Sequence, residues 1–294
     1  MNRRSSALSL LDLVLIVGLL GLISFIVYRL AFALNYQWNW SIIPTYLVRY
    51  DDSSGHWLPN TLLEGLFTTL RLSIWGMLIA GVLGLFIGIA RTASGLFPRL
   101  CSRTFVELIR NTPPLVLIFI FYFFVSNQIL PALGIEDLVR SLTPAWQERL
   151  AILAAPPGLI VPFLSGVVTI GLFQSAYITE IVRAGIEAID TGQWDAARAL
   201  GFTRWQQRFF VILPQALRLM LPPLANEFIN TIKYSSIVSI ISIQELTFQG
   251  LQVMASTQAS IEVWLTITAI YLVLCLTLSL GVHHLEGRFN VHRR

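Results

Sequence analysis

Six stretches of this chain are close in length to the thickness of a bilayer and almost wholly apolar: Leu11–Leu34, Leu63–Ala90, Phe105–Ile129, Leu159–Ile181, Phe209–Asn226 and Val263–Val282. A membrane-crossing helix needs about 20 such residues, because nothing in the hydrocarbon can satisfy an open backbone. The runs predict an all-α membrane protein with about six transmembrane helices. Composition agrees, since 55% of the 294 residues are hydrophobic and only 12% are charged, against roughly 25% charged in soluble domains.

Charge then orients the spans. With the N-terminus inside, the cytoplasmic side receives thirteen cations: Arg3, Arg4, Arg91, Arg99, Arg103, Arg110, Arg183, Arg198, Arg204, Arg208, Arg288, Arg293 and Arg294. The outer side receives four: Arg49, Arg140, Arg149 and Lys233. The positive-inside rule therefore predicts both termini in the cytoplasm. Arg3, Arg4, a hydrophobic run and Ala31-Phe32-Ala33 also imitate a secretory leader. The run is longer than such segments use, and Arg29 sits beside the supposed cut, so an uncleaved first helix is expected. The organisation that follows is residues 1–60 as a helix plus an aromatic outer-interface segment, 61–286 as a core, and 287–294 as a basic tail. Residues 130–157 form a second outer insertion with helical periodicity, expected along the surface.

Enzyme chemistry finds little support. Two cysteines, Cys101 and Cys275, cannot build a disulfide framework or a four-ligand metal site. His56, His283, His284 and His292 lack zinc-protease spacing, and no Gly-x-Ser-x-Gly or Gly-x-Gly-x2-Gly occurs. Net charge is +4, but its cause is membrane orientation, and no nucleic-acid partner is expected. Gly76, Ala80, Gly84 and Gly88 recur every four residues, which predicts a close helix-packing seam; a pore-lining gap is the other reading. Glu180 with Arg183, and Glu64 with Arg71, are expected to pair structurally near the two ends of spans.

One polar interruption stands out, QWDAARALGFTRWQQRFFVILP, residues 193 to 214, on the cytoplasmic side. Gln193 to Leu200 predicts a short helix with Asp195 in its first turn, where the dipole favours a carboxylate. Gly201 suits the left-handed stop, and Thr203 with Gln206 forms a capping box for a second helix that continues into the membrane. A DNA-reading helix-turn-helix has a similar look, but a module pinned between two spans could hardly enter a groove. An ordinary loop or an amphipathic elbow that docks into a cytosolic partner remains.

These residues resemble the permease subunits of binding-protein-dependent ABC importers. Asp195-Ala196-Ala197, Gly201, Val211 and Leu213-Pro214 fall at the spacing of that family's Glu-Ala-Ala, Gly, Ile-x-Leu-Pro signature, with Asp195 for Glu and Val211 for Ile. ELIRNTPPLV (107 to 116), SAYITEIVRAGI (175 to 186) and LPQALRLMLPPLANEFINTIKYSSIVSIISIQEL (213 to 246) are similar to the polar amino acid branch. Asn111 departs from its usual glycine, and Tyr234 and Ser235 stand where an acidic residue and threonine are common. The resemblance covers roughly residues 62 to 285. It implies a type I importer fold with a cytoplasmic coupling helix, in which Asp195, Ala196, Ala197, Gly201, Thr203, Leu213 and Pro214 serve ATPase coupling. It also implies a multi-pass protein of the bacterial inner membrane and three partners: a cytosolic ABC ATPase dimer, a second permease subunit of the same or a sister chain, and a periplasmic substrate-binding protein. ATP and magnesium would be bound by the partner ATPase, since the only lysine, Lys233, is not in a P-loop; no cofactor is expected in this chain.

The translocation path is read from helix interruptions, which mark transporter sites. Two candidates are Asn111 to Pro114 and Pro222-Pro223 through Glu245. An amino acid needs separable donors and acceptors, so Asn111, Thr112, Asn226, Asn230, Ser236 and Glu245, with Gln174 and Tyr177 from the fourth span, are the candidate path residues. Each has a structural alternative as an interhelical or helix-end hydrogen bond. Other functional readings are the same machine for another small solute, or an ATP-independent channel or secondary transporter.

Overall fold

The computed structural model describes residues 10–29, 36–53 and 55–290. The chain divides into two compact units, Met1–Trp40 and Ser41–Arg294. In the first, α1 (Leu10–Tyr28) is apolar on every side after Asp12 of its first turn, as suits a helix with lipid all round. The expected extension to Leu34, the Ala31-Phe32-Ala33 motif, and Arg3, Arg4, Arg293 and Arg294 lie outside the described residues.

The second unit opens with α2 (Ile42–Leu47) and an antiparallel hairpin of β1 (Val48–Asp51) and β2 (His56–Pro59). Ser53 N and Oγ both donate to Asp51 Oδ1, and Gly55 takes φ +70, so the turn is held by its own residues. Tyr50 and Trp57 meet edge to face across the strands at 5.4 Å. Then come α3 (Thr61–Arg91), α4 (Leu96–Arg110), and α5 (Pro114–Phe124), which passes through a π turn into α6 (Leu130–Ala132). The insertion folds as α7 (Ile135–Ser141) and α8 (Pro144–Leu153). It is followed by α9 (Ile160–Glu187), α10 (Thr191–Ala199), α11 (Arg204–Gln206), α12 (Leu213–Tyr234), α13 (Leu246–Thr257) and α14 (Ser260–Asn290). Among the described residues, five continuous helical stretches are long and apolar enough to cross a bilayer: 61–91, 114–132, 157–187, 204–241 and 260–284. With α1 they make six apolar helices.

Two spans differ from expectation. The third begins at Pro114 rather than Phe105, and residues 96–110 are a separate amphipathic helix. Its Ser102, Val106 and Ile109 are buried, while Arg99, Arg103 and Glu107 are not. A proline disfavours helical backbone in the residue before it, and here Pro113 itself is extended (φ −54, ψ 130). The fifth span does not stop at Asn226, and the expected break at Pro222-Pro223 is absent, because the helix runs through both prolines to Tyr234. Packed neighbours in a bundle can support backbone groups that a proline frees. The real interruption comes later, where a 3-10 turn (Ser235–Ile241) ends at Ser242 with φ +61.

The centre of the bundle is α3 against α9. A Cβ built on Gly76, Gly84 or Gly88 would lie 2.9, 2.6 or 2.6 Å from Ile170, Ile178 or Val182. Only a hydrogen at those positions lets the backbones approach, so the every-fourth-residue face is a packing seam. Ala80, Ile178, Val182, Ile212, Ala216 and Met220 then weld α12 to the same pair.

Candidate coupling elbow and translocation site

The elbow is built by local rules. Asp190 caps α10 by accepting from Gly192 N at 2.7 Å, so the helix starts at Thr191 rather than Gln193. Asp195 therefore lies in the second turn and not the first, paired with Arg198 at 3.6 Å and largely exposed. At the other end Phe202 N donates to Ala197 O (3.2 Å) and Gly201 N to Arg198 O (3.0 Å). With Gly201 at φ +79 this is a Schellman stop. The capping box is complete: Thr203 Oγ1 accepts from Gln206 N, and Thr203 N donates to Gln206 Oε1 at 2.9 Å.

The elbow is anchored inward and bare outward. Ala197 is buried and Trp194 packs on the Ile186–Ile212 cluster. Gln215 Nε2 donates to Gln193 Oε1 (3.1 Å), tying α10 to α12, and Arg208 Nη2 donates to Thr92 O (2.7 Å), tying the elbow to the end of α3. Asp195, Ala196, Ala199 and Leu200 face away, Leu200 being 75% exposed. Leu213 and Pro214 open α12, and Pro214 follows directly on the π turn Gln207–Ile212 within the continuous stretch Arg204–Ile241. Glu180 pairs with Arg183 (2.9 Å) as expected, and also with Arg91 of α3 (2.8 Å).

Deeper in the bundle a polar group spans α9 and α12. Gln174 is fully buried and donates from Nε2 to Glu227 Oε1 (3.1 Å) and to Thr231 Oγ1 (2.7 Å). Asn230 Nδ2 donates to Glu227 Oε2 at 3.3 Å. The Gln174 carbonyl oxygen and the Thr169 hydroxyl are buried with no hydrogen-bond partner among the described residues. Beside Gln174, Tyr177 meets Phe173 at a tilt (5.3 Å), Phe173 meets Tyr234 edge to face (5.6 Å), and the Arg110 guanidinium lies 5.6 Å from the Tyr177 ring centre. Arg110 ends α4 at the break where Asn111 and Thr112 stand, Thr112 Oγ1 donating to Leu108 O. A carboxylate at this depth is costly unless amides or a cation face it. The arrangement offers an acid, a guanidinium, two amides and a free acceptor on Gln174: groups that complement both ends of a zwitterion.

Comparison with known proteins agrees with this architecture. Residues 80–291 match the family described as binding-protein-dependent transport system inner membrane component. The chain belongs to that family of transport permeases. The permease is 36% identical over 230 residues to the glutamine transport system permease protein GlnP of Escherichia coli (strain K12), covering 78% of this chain and 93% of that one. It is 33% identical over 226 residues to the probable glutamine ABC transporter permease protein GlnM of Bacillus subtilis (strain 168), covering 77% and 92%. A crystal structure of an amino acid ABC transporter with histidines superposes with TM-score 0.61 at 35% identity, covering 78% and 94%. The inward-facing MetNI methionine ABC transporter superposes with TM-score 0.57 at 17% identity, which speaks for the fold alone.

The permease brings Gln174, Tyr177 and Asn230 together, with Asn111 and Thr112 at the neighbouring break. Asn226 is exposed one residue away. Ser236 Oγ donates to Lys233 O, a helix-end bond. Glu245 sits elsewhere, in the connection between two spans. It caps α13 by accepting from Phe248 N (2.8 Å) and Thr247 N (3.0 Å), with Tyr271 Oη donating at 2.9 Å. Burial pushes its carboxyl up to about 7 against these bonds. Glu64 and Arg71 do not pair; Arg71 Nη1 reaches Ala154 O at 3.4 Å instead. Glu227 and Arg110 escaped the sequence reading of the path. Ending the fifth span at Asn226 left Glu227 one residue outside it, and a longer helix would have flagged it as an intramembrane acid.

Proposed function

We propose that this permease is the membrane-spanning subunit of an importer that carries polar amino acids from the periplasm to the cytoplasm, driven by ATP hydrolysis in a partner. The observation that carries the reading is one of continuity. A single helical stretch, Arg204–Ile241, joins the elbow to Glu227, Asn230 and Thr231. Closure of a cytosolic ABC ATPase dimer against Asp195, Ala196 and Leu200 would push the elbow, which Gly201 and the capping box hold rigid. The span would tilt as a body and change which side reaches the polar cluster.

Residues 61–286 do this work within the bacterial inner membrane, both termini cytoplasmic, beside a second permease subunit of the same or a sister chain. A periplasmic binding protein delivers the solute. Glu227 and the Gln174 oxygen take the ammonium, while Arg110, Asn111 and Thr112 take the carboxylate. ATP and magnesium belong to the ATPase. The glutamine relatives at 36% and 33% identity support a small polar amino acid as cargo.

Affinity purification from mildly solubilised membranes tests the partnership. A P-loop ATPase should co-purify with the wild type and be lost from Asp195→Arg. Retention of no ATPase by the wild type, under conditions that preserve known complexes, would sink the importer reading.

A further inference from the structure

A second place in the permease sets opposite charges into one cavity, at the end of the bundle away from the elbow. The cavity has a volume of about 390 Å³ and is lined by Glu64, Thr68, Arg71, Ser242, Gln244 and Gln249 among others. That size falls within the range of small-molecule sites. Glu64 and Arg71 stand two turns apart on α3, a rise of about 10.5 Å. Neither forms an ion pair with any described residue.

Arg71 is half-buried, and its one bond, to Ala154 O at 3.4 Å, is long. A guanidinium carries five N–H donors, so most of its capacity is unused. Side chains on a helix lean toward its N-terminus, which brings the long Arg71 back toward Glu64. Arg71 is partly desolvated while Glu64 is exposed, and the two recover little from each other at that separation. A lone anion would satisfy Arg71 and be repelled by Glu64; a lone cation would do the reverse. A guest carrying both charges satisfies both. A carboxylate fits the fork of a guanidinium with two parallel bonds, an ammonium fits Glu64, and the amides of Gln244 and Gln249 with the Thr68 and Ser242 hydroxyls remain for a polar side chain.

We propose that this cavity is an entry site that holds a free amino acid, carboxylate on Arg71 and ammonium on Glu64, before it moves to the Gln174–Glu227 cluster. The proposal rests on the amino-acid importer reading given above. It makes the path a two-station route, each station with its own acid and guanidinium.

The test uses the full-length permease, reconstituted with its ATPase in vesicles, with Cys101→Ser and Cys275→Ser removing background thiols. Thr68→Cys places a reporter on the cavity wall, and the rate of maleimide labelling is followed as L-glutamine is titrated. Mass action predicts labelling about tenfold slower at ten times the half-protecting concentration. Protection should be lost in Glu64→Gln and in Arg71→Gln, partly kept in Arg71→Lys, and kept in Glu227→Gln. Glutamine amide, which lacks the carboxylate, and 4-carbamoylbutanoate, which lacks the ammonium, should protect poorly.

ATP-driven L-glutamine uptake, measured in the same vesicles once the periplasmic binding protein has been added, separates the two readings. Uptake without protection, or protection that survives both charge-removing variants, overturns the entry site and leaves the importer standing. Absence of ATP-driven uptake for every amino acid tried overturns the importer and the entry site together.

Discussion

Gln174 of α9 and Glu227 of α12 are joined by a 3.1 Å hydrogen bond inside the bundle, and the carbonyl oxygen of the same amide is left without a partner. The amide thus holds the acid in place while keeping an acceptor in reserve. Glu227→Gln preserves the shape and removes the charge. Hydrogen bonds to charged groups are worth about 1.5–3 kcal/mol, so amino-acid uptake should fall roughly 10- to 100-fold while the complex still assembles. Uptake at wild-type rates in Glu227→Gln would remove this acid from the path.

The seam between α3 and α9 predicts a contrast among glycines of one helix. Gly84→Val and Gly88→Val drive a side chain into Ile178 and Val182, and overpacking of this kind costs about 1–3 kcal/mol. Gly81, on the same helix, has nothing within 4 Å of a built Cβ. Gly81→Ala should leave the melting temperature of the detergent-solubilised protein unchanged or slightly higher, since glycine inside a helix costs roughly 0.5–1 kcal/mol relative to alanine. Equal melting of all three variants would show that the seam is not tight.

Gly201 holds the elbow at φ +79, with open space around it. A β-branched residue is strained there by backbone geometry alone, at a cost of roughly 1–2 kcal/mol. Gly201→Val should therefore spare the spans and disturb the turn, giving ATP hydrolysis that no longer produces uptake. Parallel measurement of phosphate release and uptake decides it, and full coupling in the variant would refute the rigid-elbow account.

Glu245 supplies a pH signature. Its folded carboxyl is raised from the ordinary 4.5 to about 7 by burial. The unfolded chain therefore gives up this proton first as pH rises, so the group's contribution is complete below about 4.5 and is lost progressively up to about 7. Thermal stability in detergent should fall across that window in the wild type, with a shallower fall in Glu245→Gln. Parallel curves for the two proteins would contradict the assignment.

Much of this was legible because the physics involved is local or compositional. Apolar runs give spans, glycine spacing gives the seam, and Gly201 with Thr203 and Gln206 gives the elbow without reference to anything distant. What escaped depends on neighbours. The hairpin Val48–Pro59 has strands of four residues, too short for a period-two signal, and its Tyr50–Trp57 contact exists only once paired. Pro222 and Pro223 read as a break because proline is a local breaker, whereas the helix that runs on through both belongs to a bundle invisible in one dimension. Glu245 reads as a path residue until Thr247, Phe248 and Tyr271 converge on it.

The π turn at Gln207–Ile212, between elbow and span, has a further consequence. Such a turn is an α-helix with one residue too many. Deleting a single residue from it would let the helix close in regular register, and each residue of an α-helix turns the chain by about 100°. The elbow would then face a different direction around the span while every side chain in it stayed the same. The surplus residue sets the azimuth at which the elbow meets whatever lies beneath the membrane.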